Sequence, residues 1–260
     1  MKKVFGIILT AAAAASLIAA SVGIYEYNRN KDDIKGCFFR KMYGSIGVVG
    51  GDECIVNMNM FCFGSDIEFL KDTASVSFDN PDVSIKSVDI TEQDKEGDLT
   101  VYNLNFRLSV SKEGQSDISA LTYKNGEESD VYELGKLSFV KKSGDNIFLM
   151  HSCNAFFYHD STVISFNSAN EEPFTVTDLI YADSELFKIS YDKNQSFTPG
   201  SDLDFMIEAE TSIDDKDIFI FQPVFEIRPE NENSYCYFTP NMPVCNAEDL
   251  TFLDIREYVK

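Results

Sequence analysis

Strict alternation of apolar and polar residues is the feature of this sequence that most limits its fold. The stretch from Asp98 to Ser111 reads DLTVYNLNFRLSVS, in which every second residue from Tyr102 onward is apolar. Because successive side chains point to opposite sides of a β-strand, this pattern predicts a strand with one buried and one solvated side. Strands of this kind are typical of antiparallel sheets.

Similar runs recur along the chain, and turn-forming residues separate them. Segments 185–192 and 203–210 alternate in the same way, whereas 218–221 and 224–227 are more continuously apolar and flank Pro223, which favours a bulge or a sheet edge. Turn signals lie between the runs at Asn80-Pro81, Glu96-Gly97, Asn125-Gly126, Ser143-Gly144 and Pro199-Gly200. Many short strands separated by such turns predict an all-β fold.

We predict two tandem antiparallel β-sandwich domains of the immunoglobulin-like type. Segments 75–90 and 163–180 resemble one another, at an offset close to the roughly 100 residues of one sandwich domain. Chance similarity between two β segments is the alternative explanation. With a break at 141–145, the predicted domains are residues 37–142 and 143–260.

Helix signals in the body of the chain are few. Residues 65–70 could form one or two helical turns. Asn246, with Asp249 three residues later, could cap a short C-terminal helix, although that segment also fits a strand.

The N-terminus predicts a membrane segment. Lys2 and Lys3 precede an uncharged run from Val4 to Tyr25, which as a helix would span about 33 Å, enough for a hydrocarbon core of about 30 Å. We therefore predict a signal-anchor or transmembrane helix at residues 1–25, a polar linker at 26–36 and an extracytoplasmic body. The alternative is a cleaved signal peptide, with Ala19-Ala20-Ser21 as the cleavage site and a secreted mature chain.

Composition narrows the range of partners. The net charge of −21 opposes binding to nucleic acid, whose phosphates require lysine and arginine. The absence of tryptophan weakens the case for a carbohydrate-binding surface. The acidic clusters 89–98 and 214–217 could bind calcium in an irregular loop, but solvated turns explain them as well.

The sequence offers few residues for catalysis. The two histidines are His151 and His159, and no G-x-S-x-G motif is present. His151 and Cys153 would share one side of a strand, but their apolar neighbours favour a structural role. We therefore predict no cofactor, no metal ion and no catalytic residue.

The six cysteines allow a sharper prediction. If Cys54 and Cys62 share one continuous strand, their Cα atoms lie about 26 Å apart and cannot be bridged. The stretch CYFTPNMPVC is symmetric about Pro240-Asn241, and a hairpin centred there would set Cys236 opposite Cys245. We predict a Cys236–Cys245 disulfide and leave open the pairing of Cys37, Cys54, Cys62 and Cys153.

Together these patterns predict a non-enzymatic, single-pass membrane protein with an acidic extracytoplasmic body. It would serve as a binding or structural module for a protein partner or a cell-envelope component. The alternative is a secreted hydrolase with a carboxylate site or a His151/Cys153 site.

Overall fold

The structure is a computed structural model that describes residues 34–260, apart from 52, 66, 145–149, 159–160, 169–171, 183–184, 186, 199–201, 212, 232–233, 241–243 and 247–248. For residues 150–158, 161–168, 187, 202–211 and 244–246 it describes the backbone but not the side chains. The predicted anchor, most of the predicted linker and His159 lie outside the described residues. No helix in the described part is long and apolar enough to cross a membrane.

The described chain is built mainly of strands, which confirms the all-β prediction. The strands are β1 Gly36–Phe39, β2 Met42–Val49, β3 Glu53–Phe63, β4 Val76–Phe78, β5 Val83–Glu96, β6 Leu99–Val110, β7 Gly114–Asn125, β8 Glu128–Lys142, β9 Met150–Tyr158, β10 Ser161–Ser168, β11 Phe174–Ile180, β12 Phe187–Ser190, β13 Gln195–Phe197, β14 Asp202–Thr211, β15 Ile218–Gln222, β16 Val224–Pro229, β17 Cys236–Phe238 and β18 Val244–Asn246. Two short 3₁₀ turns, Glu68–Lys71 and Thr73–Ser75, precede β4, and helix α1, Phe252–Tyr258, follows β18.

The strands form four sheets. Sheet 1 has the order β1-β3-β6-β5, and sheet 2 has the order β18-β15-β2-β8-β7-β4. Sheet 3 has the order β12-β14-β10-β9, and sheet 4 has the order β13-β11-β16-β17. Strand β6 is the alternating strand that the sequence predicts, and its apolar residues Leu104, Phe106, Leu108 and Val110 are fully buried between sheets 1 and 2.

The first strand of the fold is divided between two sheets. β1 pairs antiparallel with β3 in sheet 1, and after Arg40 and Lys41 the chain continues as β2, which pairs in parallel with β8 in sheet 2. The backbone N–H of Arg40 still donates to Asn59 of β3 at 2.9 Å, so the change of sheet follows immediately after this residue.

Sheet 2 contains strands from both sides of the predicted domain boundary at Lys142. β15 pairs in parallel with β2, from Ile218 opposite Met42 to Gln222 opposite Ile46. Ile218 and Ile220 consequently belong to the hydrophobic core between sheets 1 and 2. Pro223 follows β15, and the chain then enters sheet 4 as β16, so Pro223 marks a change of sheet. The predicted domain boundary at residue 142 stays a prediction.

The β2–β15 contact depends on a glycine. At Gly44, a Cβ atom would lie 1.7 Å from the carbonyl oxygen of Ile220. Any other residue at this position would force the two parallel strands apart.

The C-terminal helix α1 covers part of the outer face of sheet 1. Its capping box is formed by Thr251 and Asp254, so the helix begins later than the predicted cap at Asn246. Ile255 packs against Phe61 and Phe63, and Arg256 is buried, with its guanidinium 2.6 Å from Asp98. The helix thereby shields apolar residues that sheet 1 would otherwise expose to solvent.

Candidate functional site: an open strand-edge cleft

A cleft opens where sheet 2 lacks a strand beside the first half of β8. Residues 135–142 of β8 pair with β2, but residues 128–133 pair only with β7 in the described part of the chain. The cleft has a volume of about 760 Å³. Its lining comes from β1, Lys41, the β7–β8 hairpin, Ser65, Phe69 and residues 258–260 at the end of α1 and after it.

The free edge of β8 presents two peptide groups to the cleft. Gly126 has φ +67°, and Asn125 and Glu128 are the register pair that closes the two-residue turn. In such a hairpin the closing pair is hydrogen-bonded, and hydrogen-bonded and non-hydrogen-bonded pairs then alternate. Val131 and Glu133 fall at non-hydrogen-bonded positions, so their N–H and C=O groups point away from β7.

The opposite wall of the cleft is β1, the edge strand of sheet 1. Cys37 and Cys62 are register partners joined by a disulfide, with a Cα–Cα distance of 4.2 Å. So short a distance indicates a non-hydrogen-bonded pair, and the peptide groups of Cys37 and Phe39 therefore also point away from β3. Two strand edges border the same cleft, one from each sheet.

Aromatic rings form the floor of the cleft. Phe69 stacks on Tyr132 with a centroid distance of 5.2 Å and contacts Tyr123 at 5.1 Å. Phe39 meets Tyr132 edge-on at 6.1 Å. Burial raises the pKa of Tyr132, and the nearby Asp130 and Tyr123 raise it further. Tyr132 is therefore a neutral hydrogen-bonding group at physiological pH.

One ion pair and one tyrosine fix the base of the cleft. Lys41 Nζ lies 3.2 Å from Glu133, and this hydrogen bond raises the pKa of Lys41. The backbone N–H of Lys41 donates to Tyr258 Oη at 2.7 Å, and Tyr258 Oη donates to Asp217 at 2.6 Å. Burial is the main cause of the raised pKa of Tyr258, and the bond to Asp217 adds to it. These contacts tie β1, α1 and the loop before β15 together.

The sequence analysis singled out none of the residues that line this cleft as a ligand-binding group. It identified the Asn125-Gly126 turn. The cleft, however, depends on the point along β8 at which pairing with β2 begins, and a single sequence does not show how distant strands pair. His151 and Cys153 lie on β9, where only the backbone is described. The hydrolase alternative that rests on this pair stays a prediction.

The structure answers part of the cysteine question. Cys54 and Cys62 lie on the single strand β3, which confirms that they cannot pair, and Cys62 instead pairs with Cys37. Cys54 is a free thiol beside the core of sheets 1 and 2. Burial raises its pKa to about 12, which makes it a poor nucleophile.

The hairpin that we predicted at Pro240-Asn241 is wrong. β17 pairs with β16, which puts Cys236 opposite Ile227, and β18 pairs with β15, which puts Cys245 opposite Ile220. The two strands thus lie along the kinked β15–β16 segment instead of against each other. The side chain of Cys245 lies outside the described part, so the Cys236–Cys245 disulfide stays a prediction. Peptide mapping without reduction would test it.

The acidic clusters have structural partners at some of their members. Asp98 binds Arg256, and Asp217 accepts from Tyr258. Among the described residues, no group of three or more histidine, cysteine, aspartate or glutamate side chains is placed to hold a metal ion.

Comparison with known proteins gives no family. No family model and no curated protein matches the chain. Among solved structures, a protein of unknown function from Porphyromonas gingivalis W83 is 11% identical, with 78% of this chain and 97% of that chain covered and a TM-score of 0.21. A structure titled BspA_C_WT is 8% identical, with 81% and 100% covered and a TM-score of 0.20. Similarities this low support no conclusion about fold or function.

Proposed function

We propose that this chain is a membrane-anchored, extracytoplasmic binding module without catalytic activity, and that it binds a protein partner of the cell envelope through the open strand-edge cleft. The single observation that carries the proposal is the cleft itself. It combines an aromatic floor with two strand edges that have no strand partner on the cleft side among the described residues. The ion pair Lys41–Glu133 lies at its base. Its volume lies within the range of about 300–1,000 Å³ that is typical of ligand-binding clefts.

The proposed scaffold is a pair of immunoglobulin-like sandwiches. In that fold one sheet has the strand order ABED and the other contains strands C, F and G. With β1 as A and β3 to β8 as B to G, sheet 1 follows the order A-B-E-D and part of sheet 2 follows G-F-C. This agreement supports an immunoglobulin-like first half. In the second half, β9, β10 and β14 of sheet 3 are neighbours in the order expected of strands A, B and E. In sheet 4, β11, β16 and β17 follow the order expected of C, F and G, which supports a similar second half.

Two features support a location outside the cytoplasm. The uncharged run from Val4 to Tyr25 follows two lysines, as expected of an anchor with its N-terminus inside. The Cys37–Cys62 disulfide is of the kind that persists in oxidising compartments.

Site-specific photocrosslinking in cells of the native host would test the binding function. Val131 lines the cleft and is 64% exposed. In the experiment, a benzophenone-bearing amino acid would replace it. Leu253 on α1 is 58% exposed, does not line the cleft and is the matched control position. We expect a discrete adduct with an envelope protein at position 131 and none at position 253. Identical patterns at both positions, or no adduct at 131, would contradict the proposal.

A further inference from the structure

We infer that the cleft accepts an extended, positively charged segment of a partner protein, which adds to the free edge of β8 as a further strand of sheet 2. This inference rests on the proposed binding function and specifies the mode of binding and the chemistry of the partner. The segment would extend the line of β2 on the N-terminal side of Met42, where β8 has no hydrogen-bonded strand on this side among the described residues.

The edge of β8 has the hydrogen-bonding pattern that strand addition requires. Val131 and Glu133 are two residues apart, so their outward N–H and C=O groups have the spacing of one strand repeat. An extended peptide can pair with both residues through its backbone, which gives affinity largely independent of sequence. The β1 edge is less suitable, because Phe39 is buried and the chain changes sheet after Arg40.

The cleft walls determine which side chains the segment carries. Every second side chain of an added strand would point toward the rings of Phe69 and Tyr132, and this side favours apolar or aromatic residues. The other side chains would lie beside Val131 and Glu133, whose side chains are exposed to solvent. An alternation of apolar and polar residues therefore fits the site.

Charge selects a basic segment and disfavours a second copy of the chain. Of the charged residues that line the cleft, Lys41 pairs with Glu133, and Lys260 and Asp130 are the others. Glu127 and Glu128 add negative charge at the end of the β7–β8 hairpin, and the protein as a whole carries a net charge of −21. Two copies that joined their β8 edges would bring these acids and two strongly negative molecules together, which is unfavourable. Lysine or arginine in the segment would instead be attracted by the net negative charge of the protein and of the hairpin.

The probe for the first experiment is a fluorescein-labelled synthetic peptide in which lysine alternates with valine or tyrosine. Fluorescence anisotropy would measure its affinity for the disulfide-bonded protein. We expect binding that becomes at least tenfold weaker when glutamate replaces the lysines. Two further peptides carry N-methyl groups on one or the other alternate set of amides. N-methylation of one set of amides should weaken binding at least tenfold, and N-methylation of the other set should weaken it less than twofold. The reason is that only one edge of the peptide pairs with β8.

Val131→Pro is the matching change in the protein. It removes the N–H that faces the cleft and no hydrogen bond between β7 and β8, and Val131→Thr is the control that keeps the N–H. We expect the peptide affinity to be at least tenfold lower in V131P than in V131T, because the two variants differ in whether position 131 has an N–H. An unfolding midpoint for each variant will show whether it is folded. If V131P does not fold, the N-methylated peptides decide the question on the unaltered protein.

The possible outcomes separate the mode of binding from the proposed function. Equal affinities for the two N-methylated peptides, or binding unaffected in folded V131P, would overturn strand addition. A wild-type dimer that becomes monomeric in V131P would assign the edge to a second copy of the chain and overturn the partner assignment. Failure of every peptide to bind, with the crosslink at position 131 intact, would overturn this inference and leave the proposed function standing. Loss of the crosslink would contradict the function itself.

Discussion

At the level of single residues, the junction of β2 and β8 leaves no room for a side chain at position 135. Gly135 has φ +91°, and a Cβ atom there would lie 2.4 Å from the carbonyl oxygen of Met42. Gly135→Ala should lower the free energy of unfolding by about 2–4 kcal/mol, because it combines backbone strain with a clash against backbone. Gly126 has φ +67° and open space around it, so Gly126→Asn should cost less than about 1 kcal/mol. Urea unfolding would measure both values, and equal losses would contradict the steric explanation.

A second residue-level effect concerns Asp79, which binds the irregular part of β7. Its carboxylate accepts from the N–H of Ser119 at 3.0 Å and from the hydroxyl of Ser119 at 2.6 Å, where the β7–β8 register shifts. Partial burial would raise the pKa of Asp79, but the hydrogen bonds from Ser119 outweigh it and hold the pKa below its usual value.

The lowered pKa of Asp79 gives a pH-dependent contribution to stability. A carboxyl group whose pKa is lower in the folded state stabilises the fold above its unfolded pKa of about 4, and the contribution is lost as the pH falls through the folded pKa. Asp79→Ala should therefore cost about 1 kcal/mol at neutral pH, an amount reduced by solvent screening. The difference between wild type and variant should shrink in urea unfolding below about pH 4. A difference that does not change down to pH 2 would contradict this assignment.

At the level of elements, the Cys37–Cys62 disulfide holds the four-residue strand β1 to sheet 1. The bridge closes a loop with a sequence separation of 25, for which the chain-entropy model gives at most about 3–4 kcal/mol. Cys37→Ala with Cys62→Ala should lower the unfolding free energy by up to this amount and loosen the β1 wall of the cleft. Reductant should lower the unfolding free energy of the wild type by a similar amount and should not change that of the double variant. Cys54→Ala is the control and should keep the sensitivity to reductant.

The sequence predicts single elements better than their pairing. The alternation in β6 and the turns at Gly97 and Gly126 are local features, and each appears where the pattern indicates. The late start of α1 at Phe252 is also explained locally, because the capping box of Thr251 and Asp254 lies beyond the predicted cap.

The β17 and β18 strands show where sequence reasoning reaches its limit. The symmetric stretch around Pro240-Asn241 suggests a hairpin, yet both strands pair with the kinked β15–β16 segment. Longer-range pairing outweighs local symmetry here. The cleft could not be predicted for the same reason, since it exists only because β2 joins β8 at Gly135.

For the whole molecule, the parallel pairing of β2 with β15 means that the two halves should not unfold independently. Ile220 comes from the second half of the sequence, is 1% exposed and packs in the core between sheets 1 and 2. Ile227 is fully buried in the separate core cluster that includes sheet 4. If the shared sheet couples these two cores, damage to either should destabilise the entire chain.

Calorimetry of residues 34–260, as wild type and as two core variants, would test this coupling. Ile220→Ala and Ile227→Ala each create a cavity and should each cost about 2–5 kcal/mol. We expect one thermal transition in the wild type, with equal calorimetric and van't Hoff enthalpies. Both variants should lower the midpoint of that same transition, because separating the halves breaks the β2–β15 ladder and exposes Ile218 and Ile220 to water. Two transitions, of which Ile227→Ala shifts only one, would instead show that the halves are independent sandwiches, and the predicted boundary at residue 142 would then hold.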